Sequence, residues 1–191
     1  MASPSFDAAC AAIDRANGED PRGDELAYGQ RMVAWATQLA PQASEELLLA
    51  ARAQHVRRWT VARSQYPAGR AGYLAWREGL KKFHADTLAE IMTKAGYAVA
   101  SIEKARSLLV RKNLASDAEG QTLEDAACLV FLQFEFAAFS AKTEPDKMVD
   151  ILRKSWAKMS SAARDHALRL KLGPAELSLV QRALEKKASP R

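Results

Sequence analysis

Three ionisable residues lie on helical faces that the sequence pattern predicts to point inward. His84 stands at helical spacing between two leucines, and Asp125 begins a row of apolar residues with the same spacing. His55 shares one side of its predicted helix with apolar residues. Two imidazoles and a carboxylate are a suitable ligand set for one divalent ion such as Mn, Fe, Co or Zn. We therefore expect these three side chains to converge on a metal and to be catalytic.

Each of these residues also has a structural interpretation. An inward histidine frequently forms a hydrogen bond with the backbone instead of binding a ligand. Asp125 could act as a cap, because the four residues from Thr122 to Asp125 resemble a capping box at the start of an apolar helix. His166 follows an aspartate on an amphipathic helix and is expected at the surface. The sequence leaves the metal and the structural interpretations open.

Positive charge is concentrated in one stretch of the chain. Between Arg52 and Lys82 there are eight Lys or Arg residues and one Glu, a local charge of +7, whereas the whole chain carries +5. Such local basicity favours an anionic ligand at one place over a general coating of nucleic acid, although solvated helix faces are the alternative. The candidates for holding the anion and for stacking on a ring are Arg57, Arg58, Arg63, Arg70, Arg77, Trp59, Tyr73 and Trp76.

The apolar periodicity predicts helices throughout and no strand. Starts and stops are taken from capping residues, Pro and Gly. The first predicted helix is capped by Ser3 or Ser5, has Phe6 as its first apolar residue and stops at Gly18. The other predicted helices are Leu26 to Leu39, Ser44 to Trp59, Tyr73 to Ala95, Val99 to Lys112, Leu123 to Phe139, Pro145 to Met159, Ser161 to Leu170 and Pro174 to Lys187. The irregular connection from Val61 to Gly72 is expected to close over the ligand. We expect an all-α, orthogonal multi-helix bundle that forms a single domain over residues 1–191.

The composition also bears on location. No segment approaches about 18 consecutive apolar residues, and the first residues lack the basic and apolar regions of a secretory signal. Cys10 and Cys128 stand in apolar helical contexts and do not form a disulfide framework. We expect a cytoplasmic protein that does not enter a membrane.

Several long motifs resemble a known family. The segments R-A-Q-H-V-R-R-W, R-A-G-Y-L-A-W-R and L-E-D-A-A-C-L-V-F-L are similar to the family catalogued as domain of unknown function 4202. The resemblance extends from about Tyr28 to Trp156. This family implies no activity.

A more distant resemblance implies chemistry. The order of His55, His84 and Asp125 on successive helices resembles the HD-domain superfamily of metal-dependent phosphohydrolases, which implies that these residues hold the metal. Ala85 stands where that superfamily has a second carboxylate. Lys112 stands where many of its members have another histidine, so the resemblance makes it a fourth expected catalytic residue. The residues that could replace the missing carboxylate are Asp86 and Glu124.

We therefore expect the chain to bind a small phosphorylated or carboxylated anion, of which a nucleotide is one candidate, and the HD resemblance adds hydrolysis of that ligand. Two alternatives stay open. The same arginines and aromatic rings would serve a non-catalytic module that binds RNA or tRNA. A degenerate HD-type domain kept for regulation or interaction would bind neither metal nor nucleotide.

Overall fold

A computed structural model describes residues 3–110 and 117–185 of the chain. All regular structure in these two ranges is helical, which confirms the all-α prediction. The helices are α1 (Pro4–Gly18), α2 (Asp24–Leu39), α3 (Glu45–Arg52), α4 (Gly69–Lys94), α5 (Val99–Val110), α6 (Ala118–Val130), α7 (Phe136–Ser140), α8 (Pro145–Lys158), α9 (Ser161–Ala167) and α10 (Pro174–Leu184). None of the described helices is both long and apolar enough to cross a membrane.

The backbone divides into two compact units, residues 1–126 and 127–191. The division falls inside α6, so the first unit holds α1 to α5 and the beginning of α6. All three expected metal ligands belong to this first unit. The expectation of a single domain stays a prediction, and the two units are described separately.

In the first unit, five helices enclose an apolar core. α4 packs against α5 and α1, and α3 packs against α2 and α5. The large, fully buried side chains of these helices include Ile13, Met32, Leu47, Leu49 and Leu88. Two predicted caps are confirmed. The side chains of Ser3 and Ser44 accept hydrogen bonds from the backbone N–H groups of Phe6 and Leu47. These caps fix where α1 and α3 begin.

α4 is the long helix that positions His84. It begins at Gly69, before the predicted start at Tyr73, and ends at Lys94 with Gly96 just beyond it at φ +85°. Gly72 lies so close to the carbonyl of Pro67 that a Cβ atom would overlap it. The first turn of α4 therefore packs against the preceding loop, which explains the earlier start.

Two of the predicted helix boundaries that differ from the structure concern site residues. α3 ends at Arg52 instead of Trp59, and a turn with Arg57 in the left-handed region (φ 52°) follows it. His55 therefore lies in this turn and not on a helix. The sixth helix begins at Ala118, because the Asp117 side chain accepts hydrogen bonds from the N–H groups of the next turn at 2.9 and 3.3 Å.

The second unit is smaller and has its own core. The continuation of α6 passes through a π-helical turn, Phe131–Glu135, into α7, where Phe136 is buried. α8 packs against α10, and both helices begin with a proline in the first turn as predicted. α9 ends at Ala167, before the predicted Leu170. This unit contributes none of the expected site residues.

Candidate functional site

His55 faces a buried carboxylate that the sequence interpretation missed. Its Nδ1 atom lies 3.3 Å from Oε2 of Glu25, whose side chain is only 4% exposed, whereas that of His55 is 25% exposed. Glu25 lies in the first turn of α2. A signal existed in the sequence, since Glu25 occupies the same helical row as the buried Gly29, Met32 and Ala36. A buried Glu on an inward row is uncommon without a partner, and His55 is that partner.

The ring of His55 has a stacking contact on its face in addition to the Glu25 contact at its edge. It stacks on Tyr28, with ring centroids 3.9 Å apart and planes 9° from parallel. Tyr28 stands three residues after Glu25, so one side of α2 provides both contacts. A carboxylate can only accept a hydrogen bond, so neutral His55 carries its proton on Nδ1 and leaves Nε2 as a base.

His84 lies next to His55 and is buried. The two ring centroids are 6.1 Å apart, and His84 is 4% exposed. Its Nδ1 atom lies 2.9 Å from the carbonyl oxygen of Val56, so Nδ1 carries the proton and donates it. Burial, and then the positive charge that His55 can carry, lower the pKa of His84 to about 3. His84 is therefore neutral near pH 7, with Nε2 unprotonated.

Asp125 lies inside α6 and does not cap it. It is 3% exposed, as the apolar row predicted, and its Oδ1 atom accepts a hydrogen bond of 2.9 Å from Nε2 of Gln121. The capping-box interpretation is wrong, because Asp117 serves the first turn of this helix. The burial of a carboxylate in mid-helix thus needs another explanation. The convergence of Asp125 with the two histidines stays a prediction.

The residues only partly fit the expected metal. An ion bound through an imidazole nitrogen lies about 3 Å from the ring centre, so rings 6.1 Å apart are just within reach of one ion. In residues 3–110 and 117–185, however, no three His, Cys, Asp or Glu side chains are grouped so that they could hold a metal. Asp86 forms an ion pair with Arg106, Glu124 is half-buried, and Lys112 lies outside the described residues. We therefore derive no chemical step through a metal.

Arg58 is an arginine whose charge acts on the histidine pair. It stands in the short 3₁₀ turn Arg58–Thr60, which directly follows the turn that carries His55. Its positive charge is one of the smaller influences that lower the pKa of His84, after burial. Its guanidinium carbon lies 5.1 Å from the ring centre of Trp76, and Nε1 of Trp76 donates a 3.0 Å hydrogen bond to the carbonyl of Val61. α4 and the turn are joined through this contact.

Arg63 has a structural role in its own loop. Its Nη1 atom donates to the carbonyl of Tyr66 at 2.9 Å, and Nη2 donates to those of Pro67 and Gly69 at 2.9 and 3.3 Å. These bonds close the segment before α4 into a fixed turn. We consequently leave Arg63 out of the anion site.

The remaining expected residues lie in different places. Arg57 points to Glu19, with an Nη2–Oε2 distance of 3.6 Å. Arg77 lies over the ring of Tyr73, 5.9 Å from its centre, and Arg70 is exposed. Trp59 is half-buried in the 3₁₀ turn. The structure thus brings Arg58 to the histidines and places Arg70 and Arg77 on α4.

The comparison with protein families agrees with the motifs. The sequence profile of the family described as Domain of unknown function (DUF4202) matches residues 7–180, so the chain belongs to this family. No curated protein and no solved structure matches the chain. The resemblance to HD domains therefore stays a prediction.

Proposed function

We propose that the first unit binds a small phosphorylated anion beside His55 and hydrolyses its phosphate ester. The observation that carries this proposal is the pairing of half-buried His55 with buried Glu25, 3.3 Å apart, within the basic stretch of the chain. A buried carboxylate that orients an imidazole is a recurrent arrangement for general-base chemistry.

The positive charge for the ligand comes from Arg58. In the described part of the chain, no carboxylate lies within ion-pair distance of its guanidinium. The planar fork of Arg suits two oxygens of a phosphate group. Arg57 is less suitable, because it is exposed and already lies near Glu19. Arg58 and His55 are therefore the two residues that we assign to the phosphate.

The chemistry follows from the protonation states. Nε2 of His55 accepts a proton from a water molecule, whose oxygen attacks phosphorus. The ester P–O bond breaks, and the leaving oxygen takes a proton from solvent. Glu25 stabilises the imidazolium that forms on His55, as its carboxylate faces Nδ1. Neutral His84 packs beside His55 and adds no competing charge.

The test uses inorganic phosphate and p-nitrophenyl phosphate with the full chain. We expect calorimetry to show phosphate binding that weakens about tenfold or more in Arg58→Gln, which removes a charge-assisted pair. We expect p-nitrophenol release to fall by at least about a hundredfold in His55→Asn. Lys154→Gln is the matched control, since it removes one exposed positive charge in the second unit.

The outcomes separate binding from turnover. Phosphate binding without hydrolysis would favour the non-catalytic alternative, in which the site serves regulation. Wild-type protein that binds neither compound, with or without added Mn, Fe, Co or Zn, would overturn the proposal.

A further inference from the structure

The first turns of α4 present a second basic surface, which shares only Arg58 with the phosphate site. Arg70 and Arg77 are seven residues apart, so they lie on one side of the helix, with Tyr73 between them. Both arginines are exposed, and Tyr73 is 44% exposed, which is high for an aromatic ring of a folded chain. The side chains of Arg70, Tyr73 and Arg77 are thus available to a partner.

Arginines and aromatic rings lie next to each other across this surface. Arg77 lies 5.9 Å from the ring centre of Tyr73, and the rings of Tyr73 and Trp76 lie 6.1 Å apart at 44°. Arg58 then lies 5.1 Å from the ring centre of Trp76. We call these four side chains together with Arg70 the α4 basic face. Because Nε1 of Trp76 is bonded to the Val61 carbonyl, one ring of this face is held rigidly.

In the part of the chain that the structure describes, no carboxylate neutralises the positive charge of the α4 basic face. Glu78 is the single acidic residue between Arg52 and Lys82, and it pairs with Lys81 at 3.0 Å. Throughout residues 3–110 and 117–185, no carboxylate lies within ion-pair distance of Arg70 or Arg77. A surface of this kind attracts a polyanion.

We propose that the α4 basic face binds single-stranded nucleic acid. Guanidinium groups suit the phosphates, and exposed rings suit the bases, which are splayed and accessible only in single strands. An acidic protein segment or a double helix would use the arginines but would leave the rings without a partner. The proposal goes beyond the phosphate site: it shares Arg58 with that site but does not depend on hydrolysis there.

The experiment measures fluorescence anisotropy of a labelled twelve-residue oligouridylate with the full chain at several salt concentrations. We expect the logarithm of the affinity to fall with the logarithm of salt with a slope near −2, about −0.7 for each of three arginine–phosphate contacts. Arg70→Gln and Arg77→Gln should each weaken binding and reduce the slope by about 0.7. Lys154→Gln should change neither quantity.

Tyr73→Leu distinguishes stacking from simple charge attraction. It should weaken binding at least about fivefold at every salt concentration and leave the slope unchanged. His55→Asn should not affect oligonucleotide binding, so this result is separate from the test of the phosphate site. The proposal is overturned if Tyr73→Leu binds like wild type, if a duplex of equal length binds as tightly, or if uridine monophosphate accounts for the whole affinity.

Discussion

Nδ1 of His84 donates a 2.9 Å hydrogen bond to the carbonyl of Val56, the residue that follows His55. This bond joins the middle of α4 to the turn after α3, and both groups are buried. It therefore positions His55 indirectly, through the backbone of the turn. The bond also accounts for His84 as a structural residue and still leaves its Nε2 atom unprotonated.

Replacing His84 tests the structural part of this arrangement. His84→Leu leaves the buried Val56 carbonyl without a donor, and we expect it to lower the free energy of unfolding by about 1–3 kcal/mol. His84→Asn should lose less, because an amide can donate to the same carbonyl. Urea unfolding followed by circular dichroism measures both, with exposed Lys154→Gln as a control expected to stay within about 0.5 kcal/mol. Equal losses in the Leu and Asn variants would contradict the assignment.

The depressed pKa of His84 predicts acid sensitivity. In the unfolded chain the pKa has its ordinary value near 6.5, whereas burial lowers it to about 3 in the folded protein. Between these values the unfolded state binds a proton that the folded state does not. Stability is therefore complete above pH 6.5 and falls by at most about 1.4 kcal/mol per pH unit below it.

The measurement compares unfolding of wild type and His84→Asn from pH 7.5 to pH 5. Wild type should lose about 2 kcal/mol more than the variant over this range, since only wild type carries the titrating ring. Parallel stability curves for the two proteins would show that His84 is not desolvated.

Arg63 and Arg70 should respond differently to the same substitution. Arg63→Ala removes three hydrogen bonds to carbonyls of the loop, and we expect a loss of about 1–2 kcal/mol together with faster proteolysis between residues 61 and 72. Arg70→Ala removes an exposed side chain and should stay within about 0.5 kcal/mol. If both variants melt like wild type, Arg63 does not hold the loop.

The expected metal has a direct test at Asp125. Elemental analysis of untagged protein shows whether an ion is bound. If His55, His84 and Asp125 hold it, a chelator should lower the melting temperature of wild type, because an ion bound only to the folded state stabilises it by about 2.7 kcal/mol at a hundredfold excess over Kd. Asp125→Asn should melt like the chelated protein. Wild type that contains no metal and does not respond to Mn, Fe, Co or Zn would remove the metal from the site.

Much of the fold can be predicted from the sequence because it is local. Helical spacing of apolar residues predicts the helices and correctly places His84 and Asp125 on buried faces. Ser3, Ser44 and Gly96 mark helix ends through contacts within a few residues of themselves. Such signals depend on neighbours along the chain and need no knowledge of the tertiary structure.

The geometry of the candidate site depends on contacts between segments that are far apart in sequence, so it could not be predicted from the sequence. Glu25 and His55 meet although they are far apart in sequence, and the end of α3 at Arg52 places His55 in a turn that no local stop signal marks. Arg63 could have faced solvent or a ligand equally well by its residue type. Its carbonyl partners, like the Val56 carbonyl at His84, are backbone groups, which every residue has and which leave no trace in a pattern of side chains. Only the packing of α2, α4 and the turn after α3 decides these pairings.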